Sequence, residues 1–468
     1  MRPLSLSTWK TLWGSAPLRG DLSAWERVTS LVVDSREVQE GALFVALPGE
    51  RTDGHQFVYQ AQQRGAVAIL ARLDRRELTE RQLSEIPTTA VAFVEEPLDV
   101  MAELARAHLS RLSGLGRLGV TGSNGKTTTK EMLSAVFSRN ASTWATPGNL
   151  NSEIGLPIAS LSVTEQHRWA VFEMGINHEG EMDRLQRAVF PELAIVTNIG
   201  TAHIGILGSR QDIALEKKKI FSRAGQNCVA VLPAASDLLP VLVQGFSGQV
   251  VLFGIDDPEF SFLSDKGLEG SLWTWKGRRI WLRLPGKMNV LNALAVAKTA
   301  DVLGLPISDV VDGLESVQAS FGRSQVLRGE VDIILDCYNA NLDSMSSLLE
   351  SLAGFQTRGK KVAVLGSMKE LGQETESLHR ELGRRASTAG IDSLFWFGEE
   401  TQVAFESARQ AGYGGKMAWT RDFDQLKAWL VNDVIEGDLV VLKASRSMEL
   451  ERLTELWKVQ SGKEDHVL

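Results

Sequence analysis

The sequence predicts an α/β protein in three domains: a small N-terminal α/β domain, a central domain on a mostly parallel sheet, and a C-terminal Rossmann-like domain. Three observations lead there. The 468 residues are enough for about three cores. Short, near-continuous apolar runs alternate with stretches of helical period, as parallel strands buried on both faces require. A strand also runs directly into a glycine-rich turn and a helix at Thr121-Gly122-Ser123-Asn124-Gly125-Lys126-Thr127-Thr128.

The first domain, residues 1–96, mixes short strands at Leu31 to Val33, Leu43 to Leu47, Val67 to Ala71 and Val91 to Val94 with a helix around Gln56 to Arg64. From Pro97, apolar residues recur at Leu98, Met101, Ala105, Leu109 and Leu112, a helical period closed by Ser113-Gly114. That helix opens the central domain, residues 97–318. Its expected strands are Leu118 to Thr121, Val171 to Met174, Ile195 to Thr197, Val229 to Leu232 and Val250 to Phe253. A hairpin follows, Leu272 to Trp275 and Ile280 to Leu284 joined across Lys276-Gly277-Arg278, and then a helix beginning near Asn289. After Gln318 the alternation restarts, over residues 319–468, with strands at Val331 to Leu335, Val362 to Leu365, Leu394 to Phe397 and Leu439 to Leu442. This reads as a second doubly wound unit. Ligands of such folds lie beyond the carboxyl ends of strands, so polar residues directly after apolar runs are the candidates for chemistry.

Composition narrows the class. Apolar content of 43% and charged content of 23% fit a globular protein. A net charge of −8 argues against a general nucleic-acid binder and points to small-molecule partners. Cys228 and Cys337 cannot build a disulfide framework and lack zinc spacing, which favours a reducing compartment. No apolar run suggests a signal peptide or membrane span, so a cytoplasmic protein is expected.

The turn at 121–128 has the chemistry of a phosphate cradle. Glycines let backbone N–H groups converge on a phosphate, Lys126 reaches its outer oxygens, Thr127 offers a hydroxyl to Mg²⁺, and the helix N-terminus adds a favourable dipole. Val120 stands where the usual ATPase pattern has its first glycine, so the turn is shorter and relies on Gly122.

Other candidates admit two readings each. Glu173, ending a strand before Met174-Gly175, is either a hard oxygen ligand or a solvated strand-end glutamate. His203 is either a metal ligand or a loop histidine. Lys217, within Glu216-Lys217-Lys218-Lys219, has the ordinary meaning of a solvated helix face. Asn289 and Asn292, one turn apart, either face a base edge or cap a helix. Asp336, before Tyr338-Asn339-Ala340-Asn341, and Lys443, before Ser445-Arg446, sit at strand ends suited to a ligand shared between domains or to turn chemistry.

Taken in order, these segments resemble the Mur ligases, the ATP-dependent amide-forming enzymes of peptidoglycan precursor assembly. The resemblance spans nearly the whole chain. It includes Asp34-Ser35-Arg36 and Asp53-Gly54-His55, the turn itself, Asn149 to Gly155, Glu173 to His178, and Thr197-Asn198 through His203. It continues through Lys217 with Ile220-Phe221, Asn289 to Asn292, Asp336 to Asn341, Gly366 to Gly372 and Lys443 to Arg446. The segments at 149–155, 336–341 and 366–372 look like the D-alanyl-D-alanine-adding branch, and the Asp-Asn-Pro-Arg motif of the diamino-acid-adding branch is absent. Met288 and Leu342 stand where relatives usually carry histidine and proline.

The resemblance implies a three-domain fold that binds ATP with two Mg²⁺ ions and adds D-alanyl-D-alanine to UDP-MurNAc-tripeptide through an acyl phosphate. It implies catalytic roles for Lys126, Glu173, His203 and Lys217. Thr127 and Glu173 would hold one Mg²⁺, with His203 and a carbamylated Lys217 holding the other. Gly122, Ser123, Asn124, Gly125, Lys126, Thr127 and Thr128 would cradle the phosphates. Asn289 and Asn292 would approach adenine, with Arg323, Asp336 and Asn339 meeting the nucleotide from the third domain. Ser35, Arg36, Asn149 and Asn151 would contact the UDP-sugar substrate. A monomer with a hinge near Gln318 to Arg323 is expected. The competing expectations are another amide ligase of the superfamily, acting on a diamino acid or on a folate polyglutamate, a nucleotide-dependent regulatory ATPase, and a non-catalytic nucleotide-sugar binder.

Overall fold

The computed structural model describes residues 1–49, 52–222 and 227–460; the expected third domain thus runs eight residues past the described chain. Four sheets organise it. In the first, β1 (Leu18–Arg19), β2 (Ser30–Val32), β3 (Ala42–Val45), β4 (Ala66–Arg72) and β5 (Ala90–Val94) lie in the order β1-β5-β4-β3-β2, parallel except for β1. A helix at Leu6–Trp13, absent from the sequence reading, packs Trp9 and Trp13 against Trp25 beneath this sheet. Eight residues are too few for a helical period to stand out in the sequence.

The helix Pro97–Leu109 joins two cores. Glu96 caps it by accepting from the Leu98 N–H, and Pro97 fits the first turn, where no N–H is needed. Val100, Met101 and Leu104 pack on the first sheet, while Ala102, Ala105 and Leu109 face the next domain. It ends four residues before the expected Ser113 stop.

The central sheet contains β6 (Gly116–Thr121), β7 (Thr143–Ala145), β8 (Trp169–Glu173), β9 (Leu193–Val196), β10 (Val229–Pro233) and β11 (Gln249–Phe253). All are parallel, in the order β11-β10-β9-β6-β8-β7. Strand order reverses at β6, so a crevice opens beyond the carboxyl ends of β6, β8 and β9. The three-residue β7 escaped sequence reading because it is too short to show a period. The expected hairpin is instead a three-stranded antiparallel sheet of β12 (Phe260–Asp265), β13 (Ser271–Trp275) and β14 (Arg278–Leu282). Its turn has two residues rather than three. Lys276 and Gly277 both take positive φ, 48° and 73°, which matches strand twist in a tight hairpin.

The fourth sheet holds β15 (Gln325–Gly329), β16 (Asp332–Asp336), β17 (Lys361–Gly366), β18 (Ser393–Phe397), β19 (Lys416–Thr420), β20 (Leu439–Lys443) and β21 (Val459–Gln460). Its order is β19-β18-β17-β20-β16-β15-β21, parallel from β19 to β16 and antiparallel at β15 and β21. The fold class expected from the sequence therefore stands: mixed α/β built on mostly parallel sheets. Among the described residues no helix is long and apolar enough to cross a membrane.

Candidate functional site

The nucleotide turn sits at the strand-order reversal, between β6 and the helix Lys126–Asn140. Two glycines make it possible. Gly122 has φ 148°, and a Cβ there would lie 1.9 Å from Thr197 Oγ1; Gly125 has φ 78°, and a Cβ there would meet the Asn292 amide at 2.6 Å. The end of β9 braces the turn from below. Asn198 Oδ1 accepts from the Asn124 N–H at 3.0 Å, Thr197 Oγ1 donates to the Asn124 carbonyl at 2.6 Å, and the Ser123 N–H donates to the Asn198 carbonyl at 3.0 Å. With the backbone fixed, the first-turn amides of the helix face the crevice unpaired.

Lys126 Nζ donates to the Gly122 carbonyl at 2.9 Å. Burial lowers its pKa, the Glu173 carboxylate raises it, and the Arg323 guanidinium lowers it again, which places third-domain charge within reach of the turn. Thr127 Oγ1 donates to Glu173 Oε1 at 2.9 Å, and Asn151 Nδ2 donates to the same oxygen at 2.7 Å. Glu173 is 1% exposed, which removes the solvated strand-end reading, and its Oε2 is buried without a hydrogen-bond partner. A hydroxyl beside a free carboxylate oxygen is a donor set that suits a hard divalent cation. Among the described residues no three His, Cys, Asp or Glu are grouped to hold a metal, so such a cation must complete its shell with water or phosphate oxygens.

Lys217 overturns its ordinary reading as well. It lies on the helix Arg210–Lys218 but is fully buried, and its Nζ has no hydrogen-bond partner. Desolvation, followed by the nearby Lys126 ammonium, pushes its pKa well below the usual lysine range. Burial that disfavours the ammonium favours the nucleophilic amine form, and a buried nitrogen without a partner is costly as it stands. Its neighbour Glu216 also faces inward, accepting from the Gly180 and Met182 N–H groups at 2.9 and 3.0 Å.

The third domain closes the crevice. Asp336 and Lys443 end β16 and β20 in direct register, and Lys443 Nζ lies 2.6 Å from Asp336 Oδ2 and 3.3 Å from the Asn339 carbonyl. Ser324 N–H donates to Asp336 Oδ1 at 3.1 Å, and the Arg323 guanidinium stacks over Tyr338 with 3.9 Å to the ring centroid. Asn289 is tied to the turn before its helix by Nδ2 donating to the Pro285 carbonyl at 2.7 Å, while Asn292 reaches Gly125.

A single cavity of about 650 Å³ gathers most of the expected residues. Ser123 to Lys126, Thr128, Asn149, Asn151, Glu173, His203, Asn289, Asn292, Arg323, Asp336 and Asn339 all line it. Gly122, Thr127 and Lys217 are not among its lining residues. Ser35 and Arg36 are not part of it: Ser35 Oγ donates to Gln60 Oε1 at 3.0 Å and Arg36 pairs with Asp34, both in the first domain.

Several residues of the site were not singled out in the sequence. Lys130, one turn beyond Lys126, is 1% exposed and donates to the Thr146 and Gly148 carbonyls at 2.9 and 3.3 Å, with Nζ 3.8 Å from Glu173 Oε2. Its spacing from Lys126 was the available signal, since positions four apart share a helix face. Asn124 and Asn341 exchange amide hydrogen bonds of 3.2 and 2.7 Å across 217 residues of chain, a pairing that no local pattern reveals. Lys369 and Glu370 also line the cavity; Glu370 Oε2 lies 2.7 Å from His203 Nδ1, and that histidine holds the carboxyl below its usual range.

Three family models match in series: Mur ligase family, catalytic domain, at residues 27–109; Mur ligase middle domain at 120–300; and Mur ligase, glutamate ligase domain at 322–446. The UDP-N-acetylmuramoyl-tripeptide--D-alanyl-D-alanine ligase of Treponema pallidum (strain Nichols) is 39% identical over 431 residues, which is 90% of this chain and 92% of that protein. A crystal structure of MurF from Acinetobacter baumannii superposes with a TM-score of 0.85 at 28% identity, covering 97% of this chain and 98% of the other. The MurF ligase from Thermotoga maritima, solved in complex with ADP, gives 0.79 at 30% identity over 92% and 97% of the two chains. With three family models in register along the chain and a relative this similar over nine-tenths of it, the protein belongs to the Mur ligase family.

Proposed function

We propose that this chain is an ATP-dependent ligase that joins D-alanyl-D-alanine to UDP-MurNAc-tripeptide, giving UDP-MurNAc-pentapeptide for peptidoglycan. The observation that carries the reading is one cavity walled by the nucleotide turn on one side and by Arg323, Asp336 and Lys443 on the other. That juxtaposition lets a nucleotide held by the central domain meet an acceptor brought by the third.

A free carboxylate is a poor electrophile and must be activated before an amine attacks it. The γ-phosphoryl group of ATP passes to the terminal carboxylate of the tripeptide, forming an acyl phosphate and ADP. Lys126 leaves the Gly122 carbonyl to follow the developing charge, and the first-turn amides hold the phosphate oxygens. Two Mg²⁺ ions, one held by Thr127 and Glu173 and one by His203 and carbamylated Lys217, would neutralise charge on the phosphates. CO₂ uptake by the Lys217 amine is supported by its burial, its missing partner and its depressed pKa. Asn289 and Asn292 bind adenine, and Arg323, Asp336 and Asn339 hold the nucleotide from above. Asn149 and Asn151 border the sugar-peptide path, whose UDP end rests on Ser35 and Arg36. The amine of D-alanyl-D-alanine then attacks the acyl carbon. Collapse of the tetrahedral intermediate expels phosphate and leaves the new amide.

The reading takes the protein to act as a monomer. The reaction belongs in the cytoplasm, where ATP and UDP-linked precursors are available. The test is ADP release by purified protein with ATP, Mg²⁺ and UDP-MurNAc-tripeptide, with and without D-alanyl-D-alanine. Release that needs both substrates is expected. Release indifferent to the dipeptide, or a product formed only with a diamino acid, would contradict the assignment.

A further inference from the structure

The segment Thr146 to Asn151 runs from β7 toward the helix Gly155–Ser160 and carries Asn149 and Asn151 to the wall of the cavity. Its two ends are anchored to the sheet. The Thr146 N–H donates to the Val171 carbonyl at 3.0 Å, and its Oγ1 accepts from the Glu173 N–H at 3.0 Å. The Asn151 carbonyl accepts from the Gly175 N–H at 2.9 Å. The tip between them, residues 147–150, bonds mostly to its own segment: the Leu150 N–H to the Pro147 carbonyl at 3.1 Å, and the Asn149 carbonyl to the Asn151 N–H at 2.7 Å. Among the described residues, one hydrogen bond reaches this tip from elsewhere in the chain, from Lys130 Nζ to the Gly148 carbonyl at 3.3 Å.

Lys130 is buried and does not line the cavity. Its Nζ also donates to the Thr146 carbonyl at 2.9 Å and pairs with Glu131 Oε1 at 2.9 Å, so its charge is committed to the protein rather than to a ligand. Lys126, by contrast, lines the cavity and makes one hydrogen bond. The two lysines lie one turn apart, about 6 Å along the same helix axis. That helix therefore meets the nucleotide with its first turn and holds the tip with its second. Gly148 has φ 51°, and a Cβ there would meet nothing within 4 Å, so the glycine serves the direction of the backbone that turns its carbonyl to Lys130.

We propose that Lys130 is a positioning residue: it fixes the 147–150 tip against the phosphate-binding helix and so sets where Asn149 meets UDP-MurNAc-tripeptide relative to the γ-phosphate. The inference rests on the function proposed above and deepens it. A misplacement of about 1 Å between reacting groups costs on the order of 100-fold in rate, so a spacer that ties the substrate segment to the nucleotide helix has a direct consequence for turnover.

The experiment is product formation by the full chain with ATP, Mg²⁺ and saturating D-alanyl-D-alanine at varied UDP-MurNAc-tripeptide, alongside calorimetric titration with ADP. Lys130→Met keeps the buried stem and removes the donors. It should raise KM for the UDP-substrate about 10- to 100-fold, with ADP affinity within about three-fold of native. Gly148→Val forces a β-branched residue into left-handed backbone and should raise the same KM without touching the lysine. Because both changes act through one carbonyl, the double variant should match the worse single variant within about two-fold. Thermal melts show which variants are folded at the assay temperature; if Lys130→Met is not, Gly148→Val decides. A native KM in folded Lys130→Met or in Gly148→Val would overturn the inference. So would equal losses of ADP and UDP-substrate affinity, or effects that multiply in the double variant. Native protein that makes no product from UDP-MurNAc-tripeptide would instead overturn the function proposed above.

Discussion

Lys217 shows how far a single residue's meaning depends on where the fold puts it. A run of three lysines after a glutamate reads as a wet helix face, yet the structure turns Lys217 and Glu216 inward and leaves the lysine nitrogen without a partner. Replacing it with alanine should lower turnover at least about 100-fold if its carbamate serves phosphoryl transfer, and added short carboxylic acids should restore part of the rate. Full turnover in Lys217→Ala, measured by product formation, would contradict that role. The turn glycines make a second prediction at this scale. Gly122→Ala drives a Cβ into Thr197 Oγ1 at 1.9 Å, so ADP affinity measured by calorimetry should fall by about 1–3 kcal/mol. Glycine, lysine and threonine in the turn were legible in the sequence because local spacing defines a phosphate cradle. Glu370 and Lys130 were not, because their partners are brought near by tertiary packing.

At the scale of elements, long apolar strands were readable and short or amphipathic ones were not. The strands of the parallel sheets announce themselves by continuous apolar runs, whereas β7, β15 and β19 are short or half-exposed and lack that signature. The helix Leu342–Gly354 supplies a test. Asn341 caps it through a hydrogen bond from the Ser344 N–H at 3.0 Å, and Ser344 returns the bond at 3.2 Å, a capping box. Leu342, where relatives usually have proline, occupies the first helical position and buries its side chain in the third-domain core. Asn341→Ala should cost about 1 kcal/mol in denaturant unfolding from the cap alone, and it should also loosen the bond to Asn124. A further handle is the Lys369 and Glu400 ion pair beside the cavity. Burial works to raise the Glu400 carboxyl, but hydrogen bonds from Lys369 and Ser367 outweigh it and hold the value at about 2. Because the folded value lies below the ordinary 4.5, this stabilisation is complete above about pH 4.5 and is lost as pH falls toward 2. Glu400→Gln should therefore be less stable than native at pH 7, with the gap closing through that window.

For the whole molecule, the proposed reaction divides its labour among three domains. The central domain would present the phosphates, the third would bring the charges of Arg323, Asp336 and Lys443 to the same cavity, and Ser35 and Arg36 of the first lie outside that cavity. Contacts between the central and third domains mix polar pairs, Asn124 with Asn341 and Thr201 with Asp343, with the close approach of Gly205 to Gly372 and the packing of Leu268 and Ile204 on the third-domain core. Closure over bound ligands predicts that scattering shows a more extended chain when free and compaction on adding ATP analogue with UDP-MurNAc-tripeptide. No compaction would count against assembly of the site by closure. The overall plan was legible because sheet patterning and the turn are local, but the side of the cavity built by distant chain was not. In the proposed reaction the tripeptide carboxylate is phosphorylated before the amine attacks. Tripeptide labelled with oxygen-18 in that carboxylate tests it directly: one labelled oxygen should appear in the released phosphate, in step with pentapeptide, whereas unlabelled phosphate accompanying the same product would contradict it.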